Sequence, residues 1–71
     1  MKRVVDARGL SCPEPVLLTR QALQEQGIKE ITVLVDNKVA VENVTRTAES
    51  LGCQVLVTEQ NSDFILTLRM N

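Results

Sequence analysis

Two side chains in this sequence could act as nucleophiles, Cys12 and Cys53, and their neighbours set them apart. Cys12 opens the run Cys12-Pro13-Glu14-Pro15. A thiol attacks as its thiolate, and a helix N-terminus stabilises that anion through unpaired backbone N–H groups and the helix dipole. Pro13 disfavours helical geometry for the residue before it, and proline is well tolerated in a first helical turn. The run therefore predicts Cys12 at the N-cap and Pro13 at N1. Ser11 and Glu14 have capping-box spacing, which makes Ser11 the alternative cap. Both readings keep Cys12 within the first turn. Pro13 and Pro15 have no N–H to offer, so donors to the sulfur would be amides such as those of Glu14 and Val16, and a modest shift in acidity is expected. The prolines contribute rigidity instead, holding the sulfur in a fixed, exposed position suited to handing over a group.

The composition removes other chemistries. With no histidine, no Ser/His/Asp or Cys/His constellation can be assembled, so self-contained hydrolysis is not expected. The cysteine spacing fits neither a zinc site nor a redox Cys-x-x-Cys pair, and no metal is expected. Spacing permits a Cys12 to Cys53 disulfide, but small secreted domains that depend on disulfides usually carry more than two cysteines. The simplest chemistry that fits is thiol exchange: Cys12 would accept a sulfur as a persulfide from a donor enzyme and pass the outer atom to a partner's cysteine, with the partners supplying the missing catalytic groups. A lone cysteine is more often a small buried hydrophobe than a nucleophile. That reading suits Cys53, which starts a strand in register with Val55 and Val57. At Cys12 the flanking Pro, Glu and Pro make burial awkward, and both readings stand.

Nearby residues also have two readings. Asp6 could orient the loop or simply end a strand, the second being favoured. Arg8 could attract an anionic sulfur or be solvated. Gly9 is expected to permit a turn at positive φ that places Cys12. Arg20 could belong to a basic contact patch or to a solvated helix face.

These residues must be positioned by regular elements, and hydrophobic periodicity supplies them. Lys2 to Asp6 reads as a short strand leaving into the Ala7-Arg8-Gly9-Leu10 loop. From Pro13 to Gln26, Val16, Leu18, Thr19, Ala22 and Leu23 share one arc of a helical wheel against Arg20, Gln21, Gln24 and Glu25, and Gly27 ends the helix. Leu17 points among the polar residues, so it is expected to be partly exposed, at the same end of the helix as Cys12. Glu30 to Val35 alternates as a strand, and Asp36 or Asn37 can cap the next element. Lys38 to Leu51 forms a second amphipathic helix with Ala40, Val41, Val44, Ala48 and Leu51 as its stripe, closed by Gly52. Cys53 to Glu59 and Phe64 to Met70 alternate as strands, joined by the hairpin-length connection Gln60-Asn61-Ser62-Asp63. Single-striped helices cover one face of a sheet. The expected fold is an α/β two-layer sandwich of order β-α-β-α-β-β, a four-stranded mixed sheet with two helices on one face, residues 1–71 forming a single domain.

At 71 residues the chain is near the lower size limit for independent folding. Phe64 is the only aromatic, so a deep cofactor pocket is not expected and no cofactor is assigned. Eight basic and nine acidic residues, without a run of either sign, argue against a direct nucleic-acid partner. No apolar stretch is long enough for a signal peptide or a membrane span, and a cytoplasmic monomer is expected.

The stretch Asp6-Ala7-Arg8-Gly9-Leu10-Ser11-Cys12-Pro13-Glu14-Pro15-Val16, continuing through Leu17, Leu18, Thr19 and Arg20, strongly resembles the signature of the TusA/SirA/YedF family of small sulfur carriers. The resemblance covers essentially the whole chain. Val35 to Val44, together with Ser50-Leu51-Gly52, looks most like the N-terminal domain of YedF-type proteins associated with selenium metabolism. Those proteins carry a second domain, so this chain would be an excised domain or a short relative. The resemblance implies that Cys12 carries the persulfide, with Pro13 and Pro15 as positioning residues. It also implies a cysteine desulfurase or other sulfur donor and a downstream acceptor protein, in routes such as transfer-RNA thiolation, molybdenum-cofactor assembly or sulfur oxidation. Gly9 and Glu14 join the positioning set, and Arg8, Leu17 and Arg20 are candidate partner contacts. The competing readings are a regulatory or protein-binding module that uses the Cys-Pro-Glu-Pro surface without chemistry, and a selenium-metabolism accessory domain.

Overall fold

Alternating apolar residues put Ile31, Val33 and Val35 on one side of a strand, and all three are fully buried. Side chains of this kind each contribute about 1.5–3 kcal/mol when removed from water. The strand is the second of four in the computed structural model, which describes residues 2–11, 13–25 and 27–70. The elements run β1 (Lys2–Asp6), α1 (Glu14–Leu23), β2 (Glu30–Val35), α2 (Lys38–Ser50), β3 (Cys53–Gln60) and β4 (Asp63–Met70). The order across the sheet is β1-β2-β4-β3. β1 pairs with β2 in parallel, with Val5 opposite Val33, and β4 pairs antiparallel with both β2 and β3.

α1 packs over β1 and β2, α2 packs over β3 and β4, and the helices touch each other, so both lie on one face. Between the layers Leu66 and Leu68 of β4 meet Ala22, Leu23, Val44 and Ala48 from the helices. This is the mixed two-layer arrangement that the periodicity predicts. On the other face of the sheet Val4 and Leu56 are each 65% exposed.

The hairpin between β3 and β4 turns on Asn61 and Ser62 alone, with φ of 52° and 70°. Two successive left-handed residues make the two-residue turn whose twist matches the flanking strands. Pairing extends to Gln60 opposite Asp63, one residue further on each side than alternation suggests.

The apolar stripes differ from expectation at their ends. α2 stops at Ser50, leaving Leu51 as its C-cap and 51% exposed, so Leu51 is not part of the buried stripe. Val57 is exposed as well. The 13 residues of α2 span about 20 Å. The 8 residues of β3 span about 27 Å, so the strand outruns its cover. α1 is shorter than the predicted Pro13 to Gln26 stretch. The Gln24 N–H closes it on the carbonyls of Arg20 and Gln21, before Gly27 with its φ of 83°.

Candidate functional site

The segment from Ala7 to Ser11 carries the chain from the sheet to the first helix, and its backbone is tied at several points. Ala7 N–H donates to the Leu34 carbonyl at 2.8 Å, which prolongs the β1–β2 ladder by one bond. Arg8 turns back on Asp6. Its Nε donates to Asp6 Oδ1 at 2.9 Å, a terminal nitrogen donates to Oδ2 at 2.8 Å, and its backbone N–H also reaches Oδ1 at 3.2 Å. The other terminal nitrogen meets Asp63 Oδ2 at 3.3 Å, so the loop is linked to the start of β4. The Arg8 side-chain hydrogen bond, reinforced by its backbone N–H, holds the Asp6 carboxyl down to about 2. The side-chain bonds to Asp6 and then Asp63 raise Arg8 still further above the pH range. Asp6 therefore orients the loop as well as ending β1, and the Arg8 guanidinium already faces two carboxylates.

Gly9 then adopts φ of 77°, the left-handed geometry expected of it. That turn aims its N–H at Asp36 Oδ2, 2.8 Å away, on the residue directly after β2. This hydrogen bond and one from Asn37 lower the Asp36 pKa. From sequence Asp36 is only a possible helix cap, and nothing local links it to Gly9. Asp63 likewise reads there only as part of a turn.

Cys12 lies outside the described residues, and so does the expectation about its exposure. Its flanks are described. Ser11 is exposed, and its carbonyl accepts the Glu14 N–H at 2.9 Å. Pro13 is the N-cap of α1, with φ −98° and ψ 13°, and makes no side-chain capping bond. The helix thus begins one residue later than predicted, with Glu14 at N1 and Pro15 at N2. The Glu14 amide is already engaged, and Pro15 has no amide proton, which narrows the donors named from sequence to Val16.

Pro13 and Glu14 project into solvent, whereas Pro15 is fully buried. Pro15 therefore cannot add to an exposed apolar patch; it anchors the first turn in the core, and its carbonyl accepts the Thr19 hydroxyl at 2.8 Å. The inward stripe of α1 is Pro15, Thr19, Ala22 and Leu23, with Val16 and Leu18 half-buried. Leu17 is 49% exposed and Arg20 is exposed too. Beside the turn, Leu10, Pro15 and Val16 face Asn37, Val39, Ala40 and Asn43 of α2 across a small cleft of about 30 Å³. A cleft of that size admits a few water molecules at most, too little for an organic cofactor.

Cys53 is a free thiol at the head of β3, 8% exposed and packed in the core. Burial pushes its pKa up, which disfavours the thiolate and with it nucleophilic attack.

The family model described as Sulfurtransferase TusA matches residues 3–70, nearly the whole chain. The chain belongs to the TusA family. Two archaeal relatives bear the name "Putative sulfur carrier protein". That of Methanocaldococcus jannaschii is 44% identical over 62 residues, covering 84% of this chain and 80% of its own. That of Archaeoglobus fulgidus is 35% identical over 63 residues, covering 87% and 82%. The crystal structure of a SirA-like protein from Desulfitobacterium hafniense superposes with a TM-score of 0.86 at 36% identity. It covers 94% of this chain and 95% of that one. Membership of this family makes the chain a sulfur-carrier-type domain, working with proteins that give and take sulfur. Among the described residues no helix is long and apolar enough to cross a membrane.

Proposed function

We propose that the chain relays sulfur as a persulfide on Cys12, received from a donor such as a cysteine desulfurase and passed to an acceptor protein. The Cys12 thiolate attacks the outer sulfur of the donor's persulfide. The donor S–S bond breaks, the donor leaves as a thiolate, and Cys12 holds the new S–S bond. Attack on that outer sulfur by an acceptor thiolate repeats the exchange and returns Cys12 as a thiolate. Each step exchanges one thiolate for another, so no external oxidant, reductant or metal enters.

The observation that carries this reading is the frame around position 12. The preceding loop is hydrogen-bonded to β2, and the first turn after it is anchored by buried Pro15 while Pro13 and Glu14 stay in solvent. Such a frame suits a group handed between two protein surfaces, where fixed geometry lowers the cost of alignment. Leu17 and Arg20 serve as partner contacts on the exposed side of α1. Arg8 contributes by holding the loop, since its guanidinium is engaged by Asp6 and Asp63.

The test is to incubate the protein with a cysteine desulfurase and L-cysteine and to measure intact mass before and after a reductant. The expected product is one added sulfur atom, located on Cys12 and removed by the reductant. Absence of a reducible addition with several desulfurases would overturn the carrier reading in favour of a binding module.

A further inference from the structure

The loop that delivers position 12 is held by two carboxylates remote in sequence, and they differ in kind. Asp63 meets Arg8 at the end of a long side chain, 3.3 Å away, in an ion pair open to solvent, as Asp36 is. Such pairs add little and are screened by salt. Asp36 instead takes a backbone N–H, that of Gly9, at 2.8 Å, only three residues before Cys12. No side-chain rotamers intervene on the loop side of this bond, so a shift of the carboxylate is a shift of the loop backbone.

The carboxylate itself is held firmly. Asp36 directly succeeds Val35, the last residue of the fully buried face of β2. Its second oxygen accepts Asn37 Nδ2 at 3.1 Å, and Asn37 Oδ1 in turn accepts the Ala40 N–H as the cap of α2. The bonds run without interruption from Gly9 through Asp36 and Asn37 into the first turn of α2. Gly9 is the residue that can complete this link, because φ of 77° aims its amide across the loop and side-chain-bearing residues rarely adopt it.

We propose that Asp36 is a positioning residue for sulfur transfer, its carboxylate fixing the Gly9 amide and through it the place from which residue 12 meets a partner protein. The proposal rests on the reading of Cys12 as the sulfur acceptor. Asp36 has no role in the exchange chemistry itself. Its effect falls on protein-to-protein transfer, which needs two surfaces aligned, and hardly on a small reagent that approaches from any direction.

Three measurements on Asp36→Ala and Asp36→Asn test it, beside the wild type and Cys12→Ser. Amide hydrogen exchange by NMR should show the Gly9 N–H protected in the wild type, exposed in Asp36→Ala and partly protected in Asp36→Asn, which keeps a side-chain oxygen. Sulfur loading from a desulfurase, read by intact mass over a range of carrier concentration, should fall about tenfold in kcat/KM for Asp36→Ala, as misplaced reacting groups do. Asp36→Asn should recover most of that loss. Alkylation of Cys12 by iodoacetamide should stay within about twofold throughout, since its rate depends on thiolate character and access. Loading at the wild-type rate by a folded Asp36→Ala protein overturns the proposal, as does a Gly9 amide unprotected in the wild type. An equal fall in alkylation and loading also overturns it, because the residue would then act on thiol reactivity. Cys12→Ser separates the two failures: if it still accepts sulfur, the reading of Cys12 as the acceptor is wrong, whereas loss of loading there with an unaffected Asp36→Ala removes only the positioning role.

Discussion

The two helices begin in opposite ways. α2 is capped in the ordinary manner: Asn37 is extended, with φ −153° and ψ 157°, and its side chain accepts the Ala40 N–H at 2.8 Å. α1 has proline at the cap position, which makes no side-chain capping bond, and a second proline at N2 removes a donor. A side-chain cap satisfies amides but also occupies the space over the helix end. At α1 the backbone does the work instead, through the Glu14 N–H to Ser11 carbonyl bond and the burial of Pro15. The turn is fixed without a side chain lying over it from the cap. One helix start is closed by a side chain, and the other, next to Cys12, is left to the backbone, as the proposed sulfur relay would require.

If that contrast is right, substitution should separate function from stability. The largest expected effect is at Cys12. Cys12→Ser should abolish sulfur loading entirely, because a hydroxyl does not take part in thiol exchange, while the thermal midpoint stays at the wild-type value. Mass spectrometry after desulfurase treatment reads the first quantity and a melting curve the second. Persulfide on Cys53 in that variant would contradict the assignment.

Cys53→Ser should behave in the opposite way. Its thiol packs in the core at the head of β3. A hydroxyl buried there without a partner costs about 1–3 kcal/mol. For a domain of this size each kcal/mol lowers the midpoint by about 4–8 °C, and loading on Cys12 should persist.

The two cysteines also mark what could be read from the sequence. Cys53 was legible because strand alternation with Val55 and Val57 is a local signal, and the same signal carried the element order and the two-layer fold. Pro15 is missing from the predicted inward arc because the Cys-Pro-Glu-Pro run reads as an exposed surface and for the rigidity it gives the first turn. The spacing Pro15, Thr19, Ala22, Leu23 contains the stripe that would have turned it inward. Asp36 to Gly9 and Arg8 to Asp63 were not legible, since they join residues 27 and 55 positions apart. Side-chain contacts across such separations exist only once the sheet order β1-β2-β4-β3 has brought the strand ends together. Leu51 failed for a third reason: periodicity continued past Ser50, but the helix did not.

Asn37→Ala breaks the comparison from the α2 side. Loss of the cap should cost about 1 kcal/mol, visible as a midpoint lowered by several degrees. Asn37 also donates to Asp36, so the variant asks whether Asp36 can hold Gly9 without that support. The Asp36 to Gly9 bond is the shorter of the two, at 2.8 Å against 3.1 Å, and β2 fixes the Asp36 backbone independently. Sulfur loading should therefore remain within about twofold of wild type, below the loss expected when the reacting groups themselves are misplaced. A collapse of loading in a protein that remains folded would show that α2 also belongs to the presentation of Cys12, and the division between the two helix starts would be lost.

The smallest effect sharpens the comparison on α1, at Leu17. This residue is 49% exposed one turn into the helix, on the side away from Pro15 and Thr19. A single exposed leucine is ordinary, so exposure alone assigns it nothing. On the proposed function its place beside the fixed turn would put it inside the docking surface, where even a contact that only excludes water supports binding. Leu17→Glu introduces a charge where water already reaches, so stability should stay within about 0.5 kcal/mol of wild type, as for surface substitutions generally. Alkylation by iodoacetamide should be nearly unchanged, since the helix start is not altered. Capture of sulfur from the desulfurase should weaken about three- to tenfold, in the KM rather than in the maximal rate, because uniform binding is lost while the exchanging atoms are untouched. A loss in maximal rate alone would place Leu17 with the residues that fix Cys12. A lowered midpoint would place it in the core, contrary to its exposure. Unchanged values in all three measurements would leave α1 presenting its thiol through Pro13 and Glu14 without help from the next turn.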